Sequence, residues 1–530
     1  MARLASLPLF YCALGTILAI VSFTVQAAPA ATPQNGGSST DHLEYVSAGW
    51  YPAWKSTEFP PSKISWDMYD MVTFAFALTT EDPSKLDLAG EDKTLTAFAT
   101  EAKSRGVKSL LSVGGWTGSM YFSTHMATQK GRDTFRKAIT DMVTQYKLDG
   151  IDFDWEHPNQ KGACNAFAPQ DTANFLSFLK DLKADPAGKD LILTAAASIS
   201  PFFDANGVPS TNLAPFGEVF DYLAIMAYDI YGSWSPTTGP NAPLYSTCAG
   251  DKAVGSGESS VKAWTAAGFP IKKLLLGVAA YGHSWHVDTA NAMKGNALNP
   301  YATFDATIKP LGEGETASTA YGVDKCGEQE GPSGIWDFNG LIDAGWLMSD
   351  GEASQSHAKY LFDDCSKTPF LYNETSQTMI SYDNAESFAE KGKFIYDNKL
   401  GGFAVWHILG DSSDNILLDS IHKAIGYTVE CMDEEPSTTT TPASTDDAAT
   451  CTPVTKTTTS TTAPTEAQDA ATSTSESSPI PTAESTSTAD SPEATPTTDE
   501  SPEATSTTEE SPEATPTAGE SVGGGEDGNY

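Results

Sequence analysis

Eight short apolar runs recur through the middle of the chain, at residues 44–54, 71–78, 107–115, 150–156, 191–198, 222–228, 273–281 and 401–407. Between them lie stretches with helical apolar spacing, as at 134–146 and 172–182. Several runs are apolar without alternation. A parallel strand covered by helices on one face and by barrel side chains on the other carries that pattern, whereas a half-solvated strand alternates. Eight strand–helix alternations therefore predict an α/β chain closed into a (β/α)8 TIM barrel. One gap breaks the rhythm. The stretch between the seventh and eighth runs exceeds one crossover helix and leaves room for a small inserted domain at about residues 286–382.

The flanks are of another kind. Arg3 is followed by an almost wholly apolar stretch from Leu7 to Val25 and by small residues at Val25-Gln26-Ala27. This is the pattern of a cleaved export signal over residues 1–27, with a polar linker at 28–43. Residues 44–427 form the ordered part. Beyond them, 428–530 is rich in Ser, Thr, Pro and Glu, with Lys456 as its one basic residue, and Ser-Pro-Glu-Ala-Thr recurs at Ser491, Ser501 and Ser511. Such a segment cannot bury enough apolar area to offset its ordering entropy, so it reads as a disordered, O-glycosylated stalk. The reading is of a secreted monomer, out of contact with the membrane once the signal is cleaved, with cell-wall association through the stalk. The formal net charge of −38 argues against a nucleic-acid binder, which needs a basic face.

Seven cysteines are present, and Cys12 lies in the signal. An exported chain uses cysteines for disulfides, and no C-x-x-C pair suggests zinc or redox chemistry. Cys326 and Cys365 both fall in the insertion and are expected to pair. Cys164 and Cys248 follow the fourth and sixth runs on one barrel face and are expected to pair with each other. Cys431 and Cys451 could close a loop at the base of the stalk. Asn373-Glu374-Thr375 is an N-glycosylation acceptor.

The chemistry is concentrated in Asp149-Gly150-Ile151-Asp152-Phe153-Asp154-Trp155-Glu156. Strand alternation puts Asp152, Asp154 and Glu156 on one face and Ile151, Phe153 and Trp155 on the other. Three carboxyls inside a barrel are costly to ionise together. At least one pKa rises, and the result is a carboxylic acid that can donate a proton near neutral pH. Glu156 ends the strand, at the face where barrel active sites sit. Asp149 is out of phase with the other three and reads as structural.

The run DGIDFDWE resembles the D-G-x-D-x-D-x-E signature of glycoside hydrolase family 18 chitinases. Ser112-Val113-Gly114-Gly115, Met226-Ala227-Tyr228-Asp229, Tyr281-Gly282 and the segment from Gly401-Gly402 to Trp406 resemble further blocks of that family, in order and on the matching strands. The resemblance spans residues 44–427. It implies that the insertion is a small α+β domain and that the substrate is chitin or its oligosaccharides, with no cofactor and no metal. It further implies a retaining mechanism in which the substrate's own acetamido oxygen is the nucleophile. Glu156 would be the acid, Asp154 would orient the acetamido group, Asp152 would share a proton with Asp154, and Tyr228 would hydrogen-bond the acetamido carbonyl.

Trp406 is expected to floor the sugar at the cleaved bond, with Met226, Asp229, Tyr281, Trp116, Gly115 and Tyr51 around it. Trp54 and Trp285 are weaker candidates. Gly114 and Gly115 let the third strand end close to the site. His157 and His283 depart from the family pattern, and His283 is expected to be structural or to line a subsite rather than to act as a base. The resemblance leaves two alternatives, an endo-β-N-acetylglucosaminidase acting on N-glycans and a non-catalytic chitin-binding lectin.

Overall fold

The computed structural model describes residues 45–426 together with two short strands, Val429–Cys431 and Cys451–Pro453, which pair antiparallel with Cys431 opposite Cys451. The expected signal, linker and stalk otherwise lie outside the described residues. All eight apolar runs form strands: β1 Val46–Pro52, β2 Met71–Thr79, β3 Lys108–Gly114, β4 Gly150–Asp154, β5 Ile192–Ala197, β6 Tyr222–Ile225, β7 Leu274–Ala279 and β8 Gly402–Trp406. Each is parallel to its sequence neighbours, and β8 pairs with β1, so the sheet closes on itself.

The side-chain period of two decides what each strand does. Val46, Ala48 and Trp50, Ala196, Ala224, Leu275 and Ala404 point inward and fill the barrel. Their alternates face the helices. On β4, Phe153 packs edge-on against Phe175 and Phe178, and Trp155 stacks on Phe122 at 5.1 Å. Asp152 and Asp154, between these aromatics in sequence, are left inside the barrel and are 2% and 5% exposed.

Helices Asp92–Arg105 (α1), Gln129–Tyr146 (α2), Asp171–Ala184 (α3), Ala214–Val219 (α4), Gly257–Ala266 (α5), Ala385–Asn398 (α6) and Ile416–Ile425 (α7) follow β2 to β8 in turn. The strand–helix alternation fails once. After β1 the chain makes only the 3-10 turns Ala53–Lys55, Pro61–Lys63 and Trp66–Met68. Pro52, Pro60 and Pro61 supply no backbone N–H, so a continuous helix cannot form there.

The insertion is built on a five-stranded antiparallel sheet, ordered Ile335–Asp337, Tyr281–His286, Thr378–Ser381, Thr368–Asn373, Lys359–Asp363. It begins at Tyr281, ahead of the expected boundary. The seventh run is two strands in one, because Ala280 turns the chain out of the barrel: its N–H donates to the Trp406 carbonyl and its carbonyl accepts from Phe338 N–H.

The expected disulfide pairing is overturned. Cys164 bonds Cys326, and Cys248 bonds Cys365, with Cα–Cα distances of 5.6 and 6.0 Å. Cys326 and Cys365 lie on two separate hairpins of the insertion. Each hairpin lies against a loop at the barrel mouth, so the nearest thiol belongs to the barrel.

Candidate active site

The register that closes the barrel sets Ser112 and Thr194 level with Asp152 on the neighbouring strands. Both hydroxyls donate to its carboxylate, Ser112 Oγ to Oδ2 at 2.8 Å and Thr194 Oγ1 to Oδ1 at 2.6 Å. Trp50 Nε1 reaches in from β1 and donates to Oδ2 at 3.0 Å. Burial raises the Asp152 pKa and these three donors hold it back.

Asp154 has no such support. Its Oδ1 is buried and has no hydrogen-bond partner among the described residues. Burial, and then the charges of Glu156 and Asp152, push its carboxyl well above the usual range. Glu156 follows at the strand end, where its backbone N–H donates to Ser119 Oγ at 3.0 Å. Its carboxyl is pushed up to about 8, first by burial and then by the charge of Asp229. The His157 ring lies 3.8 Å from it, and burial pulls that imidazole down to about 4, so the neighbour of Glu156 is neutral above mildly acidic pH. Asp149, out of phase as expected, binds Ser109 N–H and Lys108 at the other end of β4.

Gly114 and Gly115 let β3 come close. Gly115 N–H donates to the Asp154 carbonyl at 2.9 Å. A Cβ on Gly114 would stand 2.1 Å from that same oxygen, at a φ of +114° that favours glycine. Among the described residues three non-proline peptide bonds are cis: Ala75–Phe76, Glu156–His157 and Trp406–His407.

The opposite wall comes from the ends of β6 and β7. Tyr228 is 7% exposed, and burial with four nearby carboxylates raises its phenol, so the hydroxyl stays protonated. Its ring meets Tyr281 edge-on at 6.1 Å. Asp229, at a φ of +54°, accepts from Tyr281 Oη at 2.7 Å and lies 2.6 Å from His283 Nε2. His283 is thus the buried partner of Asp229. Met226 lies half-buried between the barrel lining and the Tyr228–Tyr281 cluster.

Trp406 lies among aromatics, stacked on Phe76 at 5.6 Å, with Trp50 edge-on at 6.1 Å and Trp54 at 6.3 Å. Trp116 stands 45% exposed beyond β3. Tyr51 is not part of this group. It faces outward, is fully buried, stacks on Phe98 at 5.7 Å and donates to the Phe59 carbonyl. Trp50 takes the inward position, so one step of strand alternation separates the two roles. Trp285 is also buried, packed between the insertion and the loop after β6, with Nε1 donating to the Gly232 carbonyl.

Several contributing residues carry no signal in sequence. Trp50 and Thr194 are ordinary strand residues until the barrel closes. Asn241 is wholly buried and joins three segments: Oδ1 accepts from Asp229 N–H, Nδ2 donates to the Tyr281 carbonyl, and its backbone N–H donates to Ser381 Oγ. Trp234, 63% exposed, sets its ring edge-on to His283 at 5.3 Å. Its place shortly after the M-x-Y-D block was the available clue.

The arrangement is a protonated acid beside a buried carboxyl with an open oxygen, a neutral phenol opposite and an aromatic floor. It can donate a proton and hold a polar group of a ring stacked on Trp406. A family model described as Glycosyl hydrolases family 18 matches residues 46–411. A "chitinase-like effector" of Moniliophthora perniciosa is 42% identical over 400 residues, covering 74% of this chain and 90% of the relative. Chitinase A1 of Niallia circulans is 32% identical over 323 residues, covering 58% of this chain and 41% of the relative. The solved structure of a chitinase from Rhizomucor miehei aligns with a TM-score of 0.64 at 33% identity, covering 72% of this chain and 100% of that one. The family match runs through all eight strands and the carboxylate ladder of β4, and the chain belongs to glycosyl hydrolase family 18, the chitinase family.

Proposed function

We propose that this protein hydrolyses β-1,4-linked N-acetylglucosamine polymers with Glu156 as the catalytic acid. The observation that carries the reading is the pair at the end of β4: a Glu156 carboxyl protonated up to about pH 8, next to an Asp154 whose buried Oδ1 has no hydrogen-bond partner among the described residues. In this reading Glu156 gives its proton to the glycosidic oxygen as the bond to the anomeric carbon breaks. The substrate's acetamido oxygen attacks that carbon and closes an oxazolinium ring. Asp154 accepts from the acetamido N–H, and Tyr228 Oη donates to the acetamido carbonyl oxygen. Asp152, held by three donors, supplies the negative charge that keeps the proton on Asp154. Water then opens the ring and Glu156 takes its proton, so configuration is retained. Trp406 floors the reacting sugar, and Trp116 and Trp234 are platforms beyond it.

Export, a monomeric state, cell-wall association and glycosylation at Asn373 belong to the same proposal. Asn373 ends a strand of the insertion at a hairpin whose next residues, Glu374 to Ser376, are exposed. A second reading is a protein that holds chitin without cutting it, since two Moniliophthora relatives are named "chitinase-like effector" rather than chitinase. Retention of Asp152, Asp154, Glu156 and Tyr228 together favours catalysis.

The test is an assay of the wild type and Glu156→Gln on N-acetylchitooligosaccharides and on an N-glycan. Cleavage of the former, falling by a factor of about 10² or more in the variant, supports the reading. Cleavage of the N-glycan alone makes the enzyme an endo-β-N-acetylglucosaminidase. Binding of chitin without cleavage makes the second reading correct.

A further inference from the structure

The two disulfides do different things because of where their barrel ends lie. Cys248 follows β6, next to the strand from which the insertion departs, so its bond to Cys365 joins neighbours. Cys164 follows β4. In the closed ring β4 is three strands from β7, and the part of the insertion that carries Cys326 is rooted at the end of β7, where Ile335–Asp337 pair with Tyr281–His283. The Cys164–Cys326 bond therefore ties the loop after β4 to the insertion across the sector of the mouth from β4 to β7.

The loop that bears Cys164 is anchored at its base on both flanks. Ala166 N–H donates to the Met120 carbonyl beyond β3, and Asn159 Nδ2 donates to the Asp204 carbonyl beyond β5. Asn165 braces it internally, accepting from Gly162 N–H and donating to the Gln160 carbonyl. From the other side, the insertion hairpin with strands Gly322–Val323 and Gln329–Glu330 carries Cys326 to its bond with Cys164. The residues after that hairpin, Pro332 to Gly334, share a small cavity with Ser233, the neighbour of Trp234.

The direction of the substrate follows from the proposed function, on which this inference rests. With the reacting sugar on Trp406 of β8 and the cleaved bond at Glu156 of β4, the leaving portion continues past Glu156 toward the β4 side, between Trp116 and Trp234. The leaving portion is the reducing-end side, since the broken bond is at the anomeric carbon of the retained sugar. That is the side the strap crosses. We infer that the Cys164–Cys326 strap closes over the leaving-group end of the binding site, so that the polymer is taken in by its reducing end and not along its middle. The strap is a specificity determinant outside the catalytic groups, acting on chain entry.

The test uses the full-length protein and two substrates. With a hexamer of N-acetylglucosamine labelled at its reducing end, wild type should place the label first in short products. With a soluble chitin derivative, wild type should release many new reducing ends for a small fall in viscosity. Cys164→Ser/Cys326→Ser, with loss of the bond confirmed by non-reducing peptide mapping, should lower viscosity severalfold more per reducing end while retaining its rate on a short oligomer. Cys248→Ser/Cys365→Ser should keep the wild-type ratio, which separates strap opening from general loosening. A Cys164→Ser/Cys326→Ser ratio equal to wild type, or random label release by wild type, overturns the strap while leaving the chitinase reading intact. If wild type cuts neither substrate, the proposed function falls and the strap with it.

Discussion

Burial and the Asp229 charge together push the Glu156 carboxyl up to about 8, and the second cause can be removed without touching the acid. Asp229→Asn should move the alkaline limb of kcat/KM to lower pH, because the charge that disfavours Glu156 ionisation is gone. A pH–rate profile checks this, and an unmoved limb would mean that another group sets it. The same raised pKa acts on stability. Folded Glu156 holds its proton from its ordinary value of 4.5 up to about 8, whereas in the unfolded chain it is lost. Across that window the folded state binds more protons, so stability falls as pH rises. Glu156→Gln should therefore stabilise the protein at pH 8 by about 1–3 kcal/mol, with no gain near pH 4, measured by urea unfolding at both. The β4 carboxyls were legible in sequence because a strand's period of two puts every second residue on one face. Their support was not, since Trp50, Ser112 and Thr194 meet Asp152 only through the register of three other strands.

At the level of elements, two glycines separate conformational strain from close approach. Gly106 ends α1 at a φ of +73° with open space where a Cβ would go. Gly106→Ala should cost about 1 kcal/mol and leave activity alone. Gly114 combines φ +114° with a Cβ position 2.1 Å from the Asp154 carbonyl oxygen. Gly114→Ala should cost about 2 kcal/mol or more and lower kcat, because the end of β4 has to move. Thermal melts with assays of both variants check the contrast, and equal losses would refute it. The strands themselves were readable since burial on both faces leaves an unbroken apolar run. That same continuity hid the phase of β1. With Trp50 and Tyr51 both aromatic, periodicity could not say which faced the mouth, and Tyr51 proved to be packed on Phe98.

For the whole molecule, the insertion is held by both hydrogen bonds and disulfides. Asn339 donates from its backbone and side chain to the carbonyls of Gly410 and Leu409 after β8, and Leu244 N–H donates to the Ser366 carbonyl. The Cys248–Cys365 bond closes a sequence separation of 117 residues. Its removal as Cys248→Ser/Cys365→Ser should cost about 2–4 kcal/mol in chemical unfolding, with the catalytic rate on short oligomers retained. No change in unfolding midpoint would mean that the hydrogen bonds alone secure the insertion. The existence of an inserted domain was legible from the long gap before the eighth strand, whereas its start was not. Tyr281 continues an apolar run without a break in composition, and only the antiparallel pairing with Thr378–Ser381 shows that the barrel has ended at Ala279.

By itself the sequence determined the quantities that depend on local period and composition. These are the eight strands, the carboxylates sharing one face of β4, the close approach that Gly114 and Gly115 allow at the end of β3, and the inserted domain. Tertiary structure decided what depends on segments far apart meeting in space. Closure of the ring placed Trp50 and Thr194 on Asp152, and the fold of the insertion brought Cys326 to the loop after β4, pairing Cys164 with Cys326 rather than with Cys248. Periodicity fixes the direction of a side chain relative to its own backbone. Which other backbone it then faces is set by the long-range register, and no local pattern encodes that.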